Sequence, residues 1–309
     1  MNRQILQQTA VILVASLCLV GVVNGHPASA IAVDDKGTVY FVYTGKGLMK
    51  IGADGKVSNV FESKGGHWMC LDREGAFAKT QPKYFRRVTP DGVKPAIIFA
   101  DGGAPLVVNK DGNLYYGSWS TKEDGFAPAA ATVSRMRVDG TRENFAPTLE
   151  KTLADMGEGM TGLATDRDGV IYVSTWSAIL KVKPDGSVSF FAKDIKLADC
   201  DWDPPDHNQA NHKPAFRGIA VDIDGSVYGA ATGCRRVAKI APGGQVSVVM
   251  KSEAPWVPTD VALHDGAVYV LEYTNGNGRP DEGWAPRVRK LGRDGKVTVL
   301  ADLSETREK

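Results

Sequence analysis

The sequence predicts an all-β protein, a six-bladed β-propeller of four-stranded antiparallel blades. Three observations carry the prediction. First, an apolar run, a polar turn ending in Gly and a second apolar run recur six times: IAVDDKGTVYFV (31–42), MCLDREGAFAKT (69–80), LVVNKDGNLYYG (106–117), LATDRDGVIYVS (163–174), IAVDIDGSVYGA (219–230) and VALHDGAVYVLE (261–272). Second, a Tyr stands three places after the turn Gly in five of the six copies, at Tyr40, Tyr115, Tyr172, Tyr228 and Tyr269. The second copy has Ala78 there and is the weakest. Third, each copy is followed by another pair of short runs around DG or GG, as in ILKVKPDGSVSFF (179–191). Such dipeptides mark hairpins, because Gly takes the positive φ that the turn needs. Two hairpins per unit give four strands, A to D, joined as an up-and-down meander.

The chain begins with MNRQILQQTAVILVASLCLVGVVNGHPASA, which reads as a secretory signal. Arg3 supplies the positive start, and the apolar run of residues 10–23 is short for a bilayer span. Cleavage fits after Gly25 or after Ala30, and an uncut anchor is the other reading. Blade 1 needs the residues from about Ala28, so the repeat favours a signal of 1–25 and a propeller of 26–309. The mature chain is then expected in the periplasm or secreted, with no membrane span. The blades are placed at about 28–63, 66–101, 104–147, 160–193, 216–251 and 258–303. The ring is expected to close by packing blade 6 on blade 1, without a swapped strand. A net charge of +1 and 43% hydrophobic residues describe an ordinary folded chain. They give no electrostatic reason to expect nucleic acid.

These repeats resemble the NHL-repeat propellers and, more loosely, the regucalcin/gluconolactonase-like (strictosidine synthase-like) superfamily. The resemblance covers residues 28–303 and is specific for fold rather than function.

In a meander, A–B and C–D turns share one face, while B–C loops and D-to-A links share the other. The short Gly turns are all of the first kind. The long connections are all of the second: 120–132, 274–286, the 3-to-4 link with a helix expected over 148–156, and the 4-to-5 link DCDWDPPDHNQANHKPAF (199–216). Insertions gathered on one face mark a binding face. Trp68, Trp119, Trp176, Trp202, Trp256 and Trp284 map there, with His67, His207 and His212. Trp concentrates where binding energy does. Trp119 and Trp176 read equally well as packing between neighbouring blades.

His67, Trp68, Glu158, Arg217 and Asp260 stand at starts of A strands and are expected to ring the channel mouth. Glu272 and Tyr273 end a B strand on the same face. Together they suit a polar ligand. An Arg217 pair with Asp260 or Glu158 that only satisfies buried charge suits them equally. The gluconolactonase-like resemblance implies a divalent metal at the mouth, held by Glu, Asn and Asp and activating water for lactone hydrolysis. This sequence departs from that pattern. PTD at 258–260 displaces Asp260 by one place, which in a regular strand turns it to the other side. No Asn stands at the matching starts, and Glu158 is left as a single possible ligand.

The 4-to-5 link carries Asp201, Asp203 and Asp206, an oxygen-rich spacing without the turn Gly or distal Glu of a calcium loop. His207 and His212 have weak zinc spacing. Calcium, zinc or manganese therefore stay open as cofactors. Cys200 and Cys234 fall on one face beside one blade and suit a disulfide, whereas Cys70 reads as a small buried side chain. No Ser–His–Asp or Cys–His constellation stands out. The expectation is an exported module binding a small polar or carbohydrate-like ligand, or an exported protein. A metal-dependent lactonase is the alternative.

Overall fold

The computed structural model describes residues 30–73, 75, 85–89, 96–101, 105–121, 128–197, 200, 214–274 and 284–304. The signal reading lies outside them, as do Asp201, Trp202, Asp203, Asp206, His207 and His212. Six antiparallel sheets follow one another along the chain. Blade 1 holds β1 (Ile31–Val33), β2 (Val39–Tyr43), β3 (Gly47–Ile51) and β4 (Val57–Glu62). Blade 2 holds β5 (Gly66–Asp72), β6 (Arg86–Val88) and β7 (Ala96–Asp101). Blade 3 holds β8 (Leu106–Val108), β9 (Leu114–Thr121), β10 (Pro128–Met136) and β11 (Arg142–Asn144). The helix α1 (Pro147–Met156) precedes blade 4, which holds β12 (Gly162–Thr165), β13 (Ile171–Ser174), β14 (Ile179–Val182) and β15 (Val188–Ala192). Blade 5 holds β16 (Phe216–Val221), β17 (Val227–Ala231), β18 (Arg236–Ile240) and β19 (Val246–Lys251). Blade 6 holds β20 (Trp256–His264), β21 (Ala267–Thr274), β22 (Pro286–Leu291) and β23 (Val297–Asp302).

The innermost strands β1, β5, β8, β12, β16 and β20 touch in turn, and β20 returns to β1. This is a closed six-bladed propeller. Its core lies in the seams, where apolar clusters join each blade to the next.

The repeat residues now have physical roles. Asp34 Oδ1 accepts the N–H groups of Lys36 and Thr38 at 3.0 and 2.8 Å, which fixes the turn. The Tyr40 hydroxyl donates to Asp34 Oδ2 at 3.3 Å. Blade 4 repeats the device with Asp166, whose Oδ1 takes the Asp168 and Val170 N–H groups and whose Oδ2 takes the Tyr172 hydroxyl. Asn109 does the turn part in blade 3. The same Tyr sits across the strand pair from a small inner residue: Tyr40 from Ala32, Tyr172 from Ala164, Tyr228 from Ala220 and Tyr269 from Ala262. Directly opposed side chains lie on one face of the sheet, so a ring needs a small neighbour there. The recurring Asp and Tyr therefore build blades and leave no chemistry over.

Blade 2 departs from the meander expected of it. Among the described residues its order is β5-β7-β6, so β7 pairs directly with the inner strand. The reason lies in AIIFA (96–100), which is buried at every position. Such a run requires cover on both sides. The outer strands of other blades keep exposed positions instead, as VSNVFE (57–62) does at Ser58, Asn59 and Glu62.

Blades 6 and 1 are each complete in four consecutive strands, and they meet by packing. The Tyr273 hydroxyl donates to the Val42 carbonyl and accepts the Thr44 N–H at 3.1 Å, latching the seam. The helix expected over 148–156 is α1. It starts on Pro147, buries Leu149 and Leu153, and stops at Gly157 in the left-handed conformation. The Gly157 and Glu158 N–H groups return to the Ala154 and Leu153 carbonyls, and this closure delivers Glu158 to blade 4.

Candidate functional site

The central channel is a cavity of about 250 Å³ walled by the six inner strands. Apolar side chains such as Ile31, Met69, Leu106, Leu163, Ile219 and Val261 line it beside Arg73, Thr165 and Asp260. The residue before each inner apolar triplet defines one level of the ring. That level carries Ala30, Trp68, Pro105, Gly162, Gly218 and Asp260. The chemistry is concentrated there, in an indole and a carboxyl among small or rigid neighbours.

Three inner strands also lose regular pairing at this level. The register shifts between Gly66 and Trp68, between Phe216 and Ile219, and between Pro258 and Asp260. An extra residue on one strand re-aims the side chains beyond it. This explains Asp260. Its one-place displacement is expected to turn it away, but the extra residue at Thr259 restores its direction, and Asp260 lines the channel.

Asp260 is 9% exposed. Its Oδ2 accepts the Ile31 N–H of blade 1 at 2.9 Å, and its Oδ1 accepts the Val261 N–H at 2.8 Å. The carboxyl lies over Gly218 of blade 5, where an added Cβ would sit 1.6 Å from Oδ1. One side chain thus touches three blades. Burial pushes its pKa up to about 7, against the pull of the two N–H donors and of Arg217.

Arg217 precedes Gly218 in the bulged part of β16 and is partly buried. Its carbonyl accepts the Ser174 hydroxyl at 2.9 Å. The bare Cα of Gly162 lets that carbonyl approach, since a Cβ there would meet it at 2.2 Å. Burial lowers the Arg217 guanidinium to about 10, and Tyr273 and Asp260 oppose that shift. Arg217, Asp260 and Tyr273 therefore form one electrostatic group. Burial also raises the Tyr273 hydroxyl, which stays neutral.

The other expected mouth residues stand apart from this group. Glu272 and Tyr273 are consecutive on β21 and point to opposite seams, as a strand requires. Glu272 is fully buried on the blade 5 side. It accepts Arg287 Nε at 2.7 Å, and it also holds Arg289 and the Ser252 hydroxyl. Glu158 accepts the Ser177 hydroxyl and N–H at 2.7 and 3.1 Å and ties down the blade 4 B–C turn. His67 occupies the irregular step of β5.

Trp68 lines the channel and is 7% exposed, and its buried Nε1 has no hydrogen-bond partner among the described residues. Trp256 is buried beneath the Arg287 guanidinium, 4.2 Å from the ring centroid. Trp284 packs on the core cluster of blades 1 and 6. Trp176 is 55% exposed, so it does not pack between blades. Trp119 lies in β9, with its side chain outside the description. Cys200 and Cys234 are joined in a disulfide, Cα to Cα 4.6 Å, which staples the 4-to-5 link to blade 5. Cys70 is a buried free thiol whose pKa burial raises strongly.

The described residues do not fit a divalent metal. Asp260 commits both oxygens to N–H donors, Glu158 both to Ser177, and Glu272 both to guanidinium groups. Among the described residues no group of three His, Cys, Asp or Glu side chains stands close enough to hold an ion. Sequence reasoning missed Gly162, Gly218 and the bulge at Thr259. A Gly inside a strand pattern was the available signal, because it marks a close approach.

No family model and no curated protein matches the chain. Solved structures share its fold. A luciferin-regenerating enzyme is 15% identical, with a TM-score of 0.55 over 89% of this chain and 92% of that one. Regucalcin, a calcium-binding protein of Agrobacterium tumefaciens, is 12% identical, with a TM-score of 0.51 over 82% and 84%. A gluconolactonase of Xanthomonas campestris is 14% identical, with a TM-score of 0.51 over 79% and 83%. At these identities the likeness speaks to the fold alone.

Proposed function

We propose that the protein is an exported binding module whose channel mouth takes a small polar or carbohydrate-like ligand, or the end of another exported protein. One observation carries the reading: a channel that brings to one level a buried carboxyl and a buried indole N–H with no partner among the described residues. Ligand sites are mostly apolar cavities with a few placed polar groups, and about 250 Å³ suits a small occupant. Export is supported by the charged start and apolar run of residues 1–25 and by the Cys200–Cys234 bridge, which persists in oxidising compartments.

Ligand-observed NMR against monosaccharides, sugar acids and amino acids tests this. A binder is expected whose affinity falls about fivefold in Trp68→Phe, which keeps the bulk and removes one donor. Binding unchanged in both Trp68→Phe and Asp260→Asn would place the ligand elsewhere.

A metal-dependent lactonase is the second reading, favoured by the fold shared with a gluconolactonase. It requires lactone hydrolysis that appears with added calcium, zinc or manganese and disappears with chelator. The committed oxygens of Asp260 and Glu158 weigh against it.

A further inference from the structure

We infer that the ligand of the channel mouth is a small uncharged amide, its carbonyl oxygen accepting the Trp68 indole N–H and its own N–H donating to the Asp260 carboxyl. The inference rests on the channel reading above and adds the chemical class. It follows from which polar groups of the bore are already engaged.

The side chains lining the channel that form strong hydrogen bonds are Trp68, Arg73, Thr165 and Asp260. Two of them are engaged at the short-turn end. Arg73 donates to the Val33 carbonyl at 3.0 Å and pairs with Asp35. The Thr165 hydroxyl donates to the Asp166 carbonyl at 3.2 Å. Cys70 also lines the bore, and a thiol is only a weak donor and acceptor. The other two stand at the mouth level with capacity left. Trp68 Nε1 is buried without a partner among the described residues, and an indole nitrogen only donates. Asp260 takes the Ile31 N–H on one oxygen and the Val261 N–H on the other. A carboxyl oxygen has two lone pairs, so each keeps room for one more donor. Main-chain acceptors of this level are occupied. The Ala30 carbonyl takes the Val42 N–H at 3.0 Å, and the Pro105 carbonyl takes the Gly117 N–H at 2.9 Å.

An unmet donor and an unfilled acceptor at one level select a ligand that carries both partners. A cation offers no acceptor to Trp68. An anion offers no donor to Asp260 and sets its charge against a buried carboxyl. A sugar meets both groups, but it also buries further hydroxyls against a wall whose other polar side chains are engaged, and each one left unpaired costs affinity. An amide has one carbonyl and one N–H, and a lactam holds the two on one edge. Trp68 and Asp260 stand on β5 and β20, the inner strands on either side of β1, so the amide spans the front of β1. A six-membered lactam is small enough for a cavity of about 250 Å³.

The test is ligand-observed NMR titration of the full chain with δ-valerolactam, its N-methyl derivative, pentanoate and piperidinium. The lactam is expected to bind about tenfold more tightly than the N-methyl derivative, which keeps the acceptor and loses the donor, and more tightly than either ion. Trp68→Phe should weaken the lactam and its derivative by the same factor, about fivefold, because it removes the bond that both share. Asp260→Asn, which turns one acceptor oxygen into a donor, should shrink the preference for the lactam over its derivative. Circular dichroism checks that both variants fold, and the comparison of ligands on the parent needs no variant. A derivative or an ion that binds as tightly as the lactam and is weakened by Trp68→Phe overturns the amide class and leaves the channel reading standing. So does a sugar that binds, with the same dependence on Trp68, where the lactam does not. Lactam binding that both variants leave unchanged, or no binding by the lactam, the ions or sugars, overturns both.

Discussion

Gly218→Ala is expected to lower stability by about 3 kcal/mol, the upper end for a methyl group forced into a packed interior. The reason is local. An added Cβ would lie 1.6 Å from Asp260 Oδ1, 2.2 Å from its Cγ and 2.7 Å from its Cα. The first two contacts are with a side chain that could swing aside, but only by releasing the Ile31 and Val261 N–H groups. The third is with backbone. Chemical denaturation of the parent and variant measures the loss. A double-mutant cycle with Asp260→Ala then separates the terms, because removing the carboxyl should recover part of the cost. A cost that is the same with or without the carboxyl would mean that Asp260 does not lie over Gly218.

Glu272→Ala is expected to cost about 3–5 kcal/mol, the range for removing one member of a buried ion pair. Glu272 is fully buried and receives Arg287, Arg289 and the Ser252 hydroxyl. Without it, two guanidinium groups face each other in the blade 5–6 seam. Replacing Glu272 and both Arg residues by apolar residues of similar size should recover most of the loss, since a buried pair is worth little against good packing. Thermal unfolding of the single and triple variants checks this. Equal stability of Glu272→Ala and the parent would mean that the cluster is solvated.

The blade count, the hairpins and the helix before blade 4 were all legible in the sequence, because each is a local signal. Period-two runs, Gly turns and a short helical segment need no knowledge of distant residues. The order of blade 2 was not legible as a repeat. Its cue, the unbroken apolar AIIFA, argues for a covered strand only when burial is weighed above alignment. At the mouth, sequence reasoning grouped Asp260, which lines the channel, with Tyr273, Glu272 and Glu158, which the fold gives to other partners. Strand alternation separates Glu272 from Tyr273 and could have been applied. The bulge at Thr259 could not, because the Asp260 it turns inward meets Ile31 and Gly218, residues 229 and 42 positions from Asp260 in the chain.

The most direct test of the account is the titration of a single carboxyl. Carbon-13 NMR of the Asp260 side chain, assigned by Asp260→Asn, should give a midpoint near 7. The linkage has a definite sign. The folded value lies above the ordinary 3.8, so this group's contribution to stability is complete below that value and is lost as pH rises to about 7. The stability of the parent relative to Asp260→Asn should therefore fall over that interval and level off above it. A midpoint near 3.8 with a flat difference would show a water-exposed carboxylate, and the seat between blades 1, 5 and 6 would be wrong.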